Sequence, residues 1–101
     1  MSHITFVKKI LADGELCKKC QQVSERLLSE GLIAQIDRIA IADARDADSE
    51  GQRLARKHGI SRAPFFLVED DNGDVIAFDV YFKFKKYMAE RDRNRATAAS
   101  R

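Results

Sequence analysis

The sequence predicts an α/β domain: a four-stranded mixed sheet in a three-layer sandwich, with helices on both faces and elements in the order β-α-β-α-β-β-α. Three observations carry this. Short β-branched and aromatic runs at 4–7, 36–42, 65–68 and 75–78 alternate with runs of helical period. The N-terminal half reads strand, helix, strand, which calls for a crossover and a parallel pair. The C-terminal strands are joined by Asn72-Gly73, a strong short hairpin signal that makes them antiparallel. At 101 residues the chain fits one domain around one core.

Ile4-Thr5-Phe6-Val7 forms the first strand, which Ile10-Leu11 extends, and Ala12-Asp13-Gly14-Glu15 is a turn signal. The first helix is expected over about 17–30. Cys20, Val23 and Leu27 lie on its inner stripe, and Gly31 terminates it. Residues 36–42 read as a second, largely buried strand, followed by an acidic loop over 43–48. Asp48 or Ser49 caps a helix that turns Leu54 and Ala55 inward and stops at Gly59. Phe65-Phe66-Leu67-Val68 and Val75-Ile76-Ala77-Phe78 are the hairpin strands around Asp70-Asp71-Asn72-Gly73-Asp74. A last helix over about 80–91 carries Val80, Phe84, Tyr87 and Met88 on one stripe. Residues 1–92 make the domain, and the Arg-, Ala- and Ser-rich residues 93–101, lacking an apolar stripe, are expected to be a disordered basic tail.

The chemistry concentrates in Cys17-Lys18-Lys19-Cys20, which holds both cysteines of the chain. The motif falls where a strand hands over to a helix. The first sulfur therefore sits at the helix start, where unpaired N–H groups and the positive end of the dipole stabilise a thiolate. Lys18 and Lys19 add positive charge beside it. A free thiol with a pKa of ~8.5 is mostly protonated at neutral pH, so this placement matters for reactivity. The two sulfurs lie within one helical turn and can close a disulfide, which makes the motif a redox pair. The competing reading is two small buried apolar residues. Zinc is a weaker rival, because a structural site needs four ligands and only His3 and His58 are available besides the cysteines, neither at ligand spacing.

Together, these residues resemble the thioredoxin-like superfamily, in the size class of glutaredoxins. The resemblance covers about residues 3–90. It rests on the Cys-x-x-Cys at the first strand-to-helix turn, on Ala63-Pro64 opening the third strand 44 residues after Cys20, and on the element order. It implies a cis peptide at Ala63-Pro64 beside the sulfurs, with Ala63 and Pro64 (and Arg62 next to them) as a platform for an extended substrate segment. Without the resemblance, Pro64 reads as a trans proline opening a strand. Glutaredoxins carry an aromatic inside the motif, Thr-Val-Pro, and a Gly-Gly turn with an Asp that holds glutathione. Lys18-Lys19, Arg62-Ala63-Pro64 and Phe78-Asp79-Val80 stand in those places, and the chain has no tryptophan. The implied activity is thiol–disulfide exchange, with Cys17 attacking and Cys20 resolving. No bound cofactor or metal is needed. The alternative is a thioredoxin-fold interaction or redox-sensing module without turnover.

The remaining features exclude more than they assign. A net charge of +2 does not call for nucleic acid, and the basic tail has no interleaved aromatics. No apolar run approaches the ~20 residues of a membrane span. Met1 to Phe6 shows no secretory pattern, so a cytoplasmic location is expected. The expected partners are a disulfide-bearing protein or a small thiol, and a separate reductant, with the chain itself a monomer. Lys8, Lys9, Lys18, Lys19 and Arg62 form either a basic rim round one opening or scattered solvated charge. His58 reads as a cation at a helix end. Tyr81 and Phe82 read as core packing or a partner patch. Glu15 is the carboxylate nearest Cys17 in sequence.

Overall fold

A computed structural model describes residues 3–99, with side chains described to residue 93. The elements are β1 (His3–Ile10), α1 (Lys18–Ser29), a short 3-10 turn (Ile33–Gln35), β2 (Arg38–Asp43), α2 (Glu50–His58), β3 (Phe65–Glu69), β4 (Val75–Phe78) and α3 (Tyr81–Ala99). The sheet runs β2-β1-β3-β4. Strands β1 and β2 are parallel, while β3 is antiparallel to β1 and β4 to β3. The α/β class, the mixed four-stranded sheet and the element order are those the sequence predicts. The Ala63-Pro64 peptide is cis, as the resemblance implies.

Side-chain alternation along the strands splits the core into two layers. Ile4, Phe6, Phe66 and Val68 face α1 and α3, meeting Val23, Leu27, Phe84 and Met88. Three rings form the centre of that layer, with Phe66 stacked on Phe84 at 3.9 Å between centroids and on Phe6 at 4.8 Å. Val7, Ala40, Ala42, Phe65 and Leu67 face the other way, toward Leu54 and Ala55 of α2. This second layer is thinner because α2 lies almost on the backbone of β2. A Cβ on buried Gly51 would overlap main-chain atoms of Ile41 and Ala42.

Helix ends follow the glycines. At the end of α1 the N–H of Leu32 bonds the carbonyl of Leu27 at 2.9 Å around Gly31, whose φ is 74°. The same motif recurs at Gly59, where Ile60 N–H bonds Ala55 carbonyl at 2.9 Å. Ser49 is the N-cap of α2 without capping it; its hydroxyl instead accepts the N–H of Asp43 at 3.0 Å, tying the helix entry to the end of β2.

Two expectations change. The second strand is not largely buried: β2 is an edge strand, so only Ala40 and Ala42 are covered, while Ile39 and Ile41 on its other side are exposed. The last helix does not stop near Arg91 but runs to Ala99, because residues 81–99 contain neither glycine nor proline and are rich in alanine and arginine. The expected disordered tail at 93–101 thus begins inside α3; its side chains beyond Arg93 and its last two residues lie outside the described residues. Tyr81 packs against the α1/α3 layer, whereas Phe82 is 70% exposed.

Candidate functional site

A tight excursion places the cysteines. Leu11 N–H bonds Glu15 carbonyl at 2.8 Å, and Gly14, at φ 88°, makes the turn possible. The chain then doubles back so that Leu16 bridges Ile10 in antiparallel fashion. Cys17 follows as the N-cap of α1, and its carbonyl accepts the first helical bond, from Gln21 N–H at 3.0 Å.

One residue of β1 holds both cysteines through its main chain. The carbonyl of Lys9 accepts the N–H of Cys17 at 3.1 Å, and the N–H of Lys9 donates to Cys20 Sγ at 3.3 Å. Both thiols are free. Cys17 is half-buried at the mouth of the helix, while Cys20 is fully buried on its inner face.

Their environments push the two thiols apart. Partial burial pulls the Cys17 pKa up, but hydrogen bonds from the N–H groups of Cys20 and Lys19, another from the Cys20 thiol, and the charge of Lys9 outweigh it and leave it lowered. Burial pushes the Cys20 thiol up to about 11, and the neighbouring Cys17 adds to the rise. The pair thus consists of a half-buried thiol whose pKa is lowered and a covered one whose pKa is raised. Lys9 is the cation felt most at Cys17; Lys18 and Lys19 are exposed on the first turn of α1, Lys19 acting through its main-chain N–H.

Residues 62–64, for which the resemblance implies a platform, lie just before β3. The antiparallel register ends at Val7 opposite Phe65, so Pro64 directly precedes the last β3 residue paired with β1, two residues before Lys9 on that strand. Pro64 is buried and its peptide bond to Ala63 is cis. Arg62 is exposed and leans to Asp79 at 3.4 Å, linking the loop before β3 to the segment between β4 and α3. Lys9, Arg62 and Ala63 also line one cavity on the α2 side of this junction.

The five basic residues do not share one opening. Lys8 and Lys9 alternate along β1, so Lys8 turns to the α1/α3 face, 5.8 Å from the Phe6 ring, and Lys9 turns to the α2 face. Glu15 is exposed, with its N–H on Asp13, and is not among the leading causes of either thiol's shift. His58 lies in the last turn of α2 with Arg56 and Lys57. Among the described residues no group of three or more His, Cys, Asp or Glu side chains is placed to hold a metal ion, and no helix is long and apolar enough to cross a membrane. Sequence reasoning missed the clamping role of Lys9. Its main-chain bonds to the cysteines depend on the fold-back of residues 11–15, which no motif announces.

No protein-family model matches the chain, and no curated protein matches it. Among solved structures, the chain is similar to a thioredoxin from Thermus thermophilus, at 21% identity over 87% of this chain and 72% of that one, with a TM-score of 0.48.

Proposed function

We propose that this chain is a thiol–disulfide oxidoreductase. The observation that carries the reading is the opposed chemistry of the two cysteines: Cys17 accessible and acidified, Cys20 covered and held as a thiol. In the proposed cycle the Cys17 thiolate attacks one sulfur of a substrate disulfide. A Cys17–substrate bond forms, and the other substrate sulfur leaves as a thiolate. Cys20 then gives up its proton and attacks Cys17, releasing the second substrate sulfur and leaving a Cys17–Cys20 disulfide. The substrate has taken up two electrons and the dithiol has lost them, to be restored by an external thiol reductant. Hydrogen bonding between the sulfurs and the N–H groups of the first turn stabilise the attacking thiolate. Lys18 and Lys19 contribute positive potential at its rim. Ala63 and Pro64 offer the main-chain surface along which an extended substrate segment docks, with Arg62 at its border. The expected location is cytoplasmic, with a protein disulfide or a small thiol compound as partner.

The two-cysteine order gives the test. In a disulfide-reduction assay Cys17→Ser should abolish turnover, whereas Cys20→Ser should retain the first attack and accumulate a mixed disulfide visible by mass spectrometry. Full turnover by Cys17→Ser refutes the mechanism. If the wild type forms a reversible intramolecular disulfide but reduces no substrate, the dithiol is a redox sensor on an interaction module instead.

A further inference from the structure

The sheet ends in two edge strands, β2 and β4, and they differ in what they leave available. At β2, Ile39 and Ile41 are exposed, but the charges at its two ends are spent: Arg38 is bonded to Glu50, and Asp43 to Arg45. At β4, Val75, Ile76 and Ala77 are exposed, and no charge, proline or bulge blunts the edge. The Asp74 carbonyl turns inward, accepting the N–H of Asp70 at 2.9 Å. Alternation along an antiparallel ladder then turns the main-chain groups of Ile76 and Phe78 toward β3, and those of Val75 and Ala77 outward along the free edge. Asp74, Ile76 and Phe78 share one side of the strand, the α1/α3 face, since Val68 and Phe66 are the partners of Ile76 and Phe78. Charge is sorted along this face. After β4 the helix α3 turns back over the sheet, with Phe84 and Tyr87 on Phe78. Lys85 reaches Glu30 of α1, so the opposite flank of α3, with Lys83 and Tyr87 four residues apart, overhangs the end of β4. Asp74 at the start of the strand and Lys83 and Lys86 above its end make no ion pair among the described residues, whereas Arg62 and Asp79 beside them are paired with each other.

We propose that β4 is a self-association edge, occupied by the β4 strand of a second copy of this chain in an antiparallel, two-fold pair, in place of the monomer expected from the sequence. With Ile76 beside the axis, Val75 faces Ala77 of the second copy, and each facing pair exchanges two main-chain N–H···O=C bonds. The Ile76 side chains, 44% exposed in the single chain, then cover each other. In the same register Asp74 stands opposite Phe78 of the second copy, beneath the turn of α3 that bears its Lys83 and Lys86. The antiparallel order therefore brings the acidic start of each strand under the basic helix of the other, and the two-fold axis makes that meeting twice. A two-fold contact closes on itself, so association stops at the dimer. The cysteines hang on β1, separated from this edge by β3, so their mouths stay open. The inference stands on the edge alone and does not depend on the dithiol reading.

The experiment is sedimentation velocity on the full chain in excess thiol reductant, so that no disulfide links two copies. A four-residue edge is short, and a reversible shift from monomer to dimer is expected between about 10 µM and about 1 mM, weaker than interfaces of the standard ~1,200–2,000 Å². Ile76→Lys sets two ammonium groups across the axis, and Ala77→Pro removes an outward donor that β3 does not use; each should weaken the dimer at least about tenfold. Lys83→Glu should weaken it about threefold, and adding Asp74→Lys should restore it. Amide exchange of Val75 and Ala77 should slow as the dimer fills, while that of Ile76 and Phe78, already bonded to β3, stays as it was. Cys17→Ser should dimerise like the wild type. A chain that stays monomeric at the highest concentration, a dimer untouched by both Ile76→Lys and Ala77→Pro, growth beyond two copies, or protection gained along β2 instead of β4 would overturn the edge. Failure of Asp74→Lys to restore Lys83→Glu would overturn the register. A dimer that reduces no disulfide would overturn only the proposed function.

Discussion

The two faces of the sheet solve the same packing problem in opposite ways. On the α1/α3 face, bulk fills the space: Phe6, Phe66 and Phe84 stack between sheet and helices, and Leu27 and Met88 close the layer. On the α2 face, absence of bulk does it. Gly51 lets the helix lie on the backbone of β2, and Ala40 and Ala42 make room beneath it. The difference teaches where function can sit. A layer filled by interlocking rings leaves no space for a ligand. A helix pressed onto one edge of the sheet leaves the far end of that layer open, where the cavity and the Lys9 clamp are found.

The largest effect should come from emptying the filled face. Phe84 is fully buried and stacks on Phe66, so Phe84→Ala removes a ring and leaves a void that rigid neighbours cannot close. A loss of about 3–5 kcal/mol is expected in denaturant unfolding, a large share of the ~5–15 kcal/mol that stabilises a typical domain. A loss below about 1 kcal/mol would show that this layer collapses readily and that the contrast between the faces is overstated.

Filling the close face is the converse operation. Gly51→Ala adds one methyl where main-chain atoms of Ile41 and Ala42 already stand. Alanine gains up to about 1 kcal/mol of helix propensity at such a position. Overpacking against backbone costs more, and a net destabilisation on the order of 2 kcal/mol is expected. The displaced helix should also disturb the cavity, so amide shifts should spread from residue 51 to the loop before Pro64. A neutral or stabilised variant would mean that α2 slides freely on β2.

Much of this contrast was legible in the sequence and part was not. Period-two and period-3.6 patterns locate every strand and long helix, and Gly31, Gly59 and Asn72-Gly73 mark the stops because only particular residues suit those backbone conformations. The Cys-x-x-Cys and Ala63-Pro64 are local signals and read as such. What failed depended on which neighbours a segment finds in space. Strand β2 looks apolar on both sides, yet lies at an edge where Ile39 and Ile41 stay exposed. The close approach at Gly51 is invisible without the partner strand. Lys8 and Lys9 look alike in sequence, and only strand alternation sends one to the Phe6 ring and the other to the α2 face, where it lines the cavity.

The smallest effect is electrostatic and separates the two cysteines at the junction of the faces. Cys20, pushed to about 11 in the fold, keeps a proton that an unfolded chain with an ordinary thiol at 9.0 gives up. The folded state then binds more protons than the unfolded one, so stability falls as pH rises through that window. Cys17 acts with the opposite sign: its lowered pKa favours the fold above its ordinary value, and that benefit is lost as pH falls through the folded one. Lysine and tyrosine titrations overlap the alkaline range, so the informative quantity is the difference between reduced wild type and Cys20→Ala. The wild type should lose stability faster between pH 9 and about 11 in urea unfolding, and the variant should lack that component. Parallel profiles would mean that Cys20 ionises freely in the folded protein. The burial that distinguishes it from Cys17 would then have no chemical consequence.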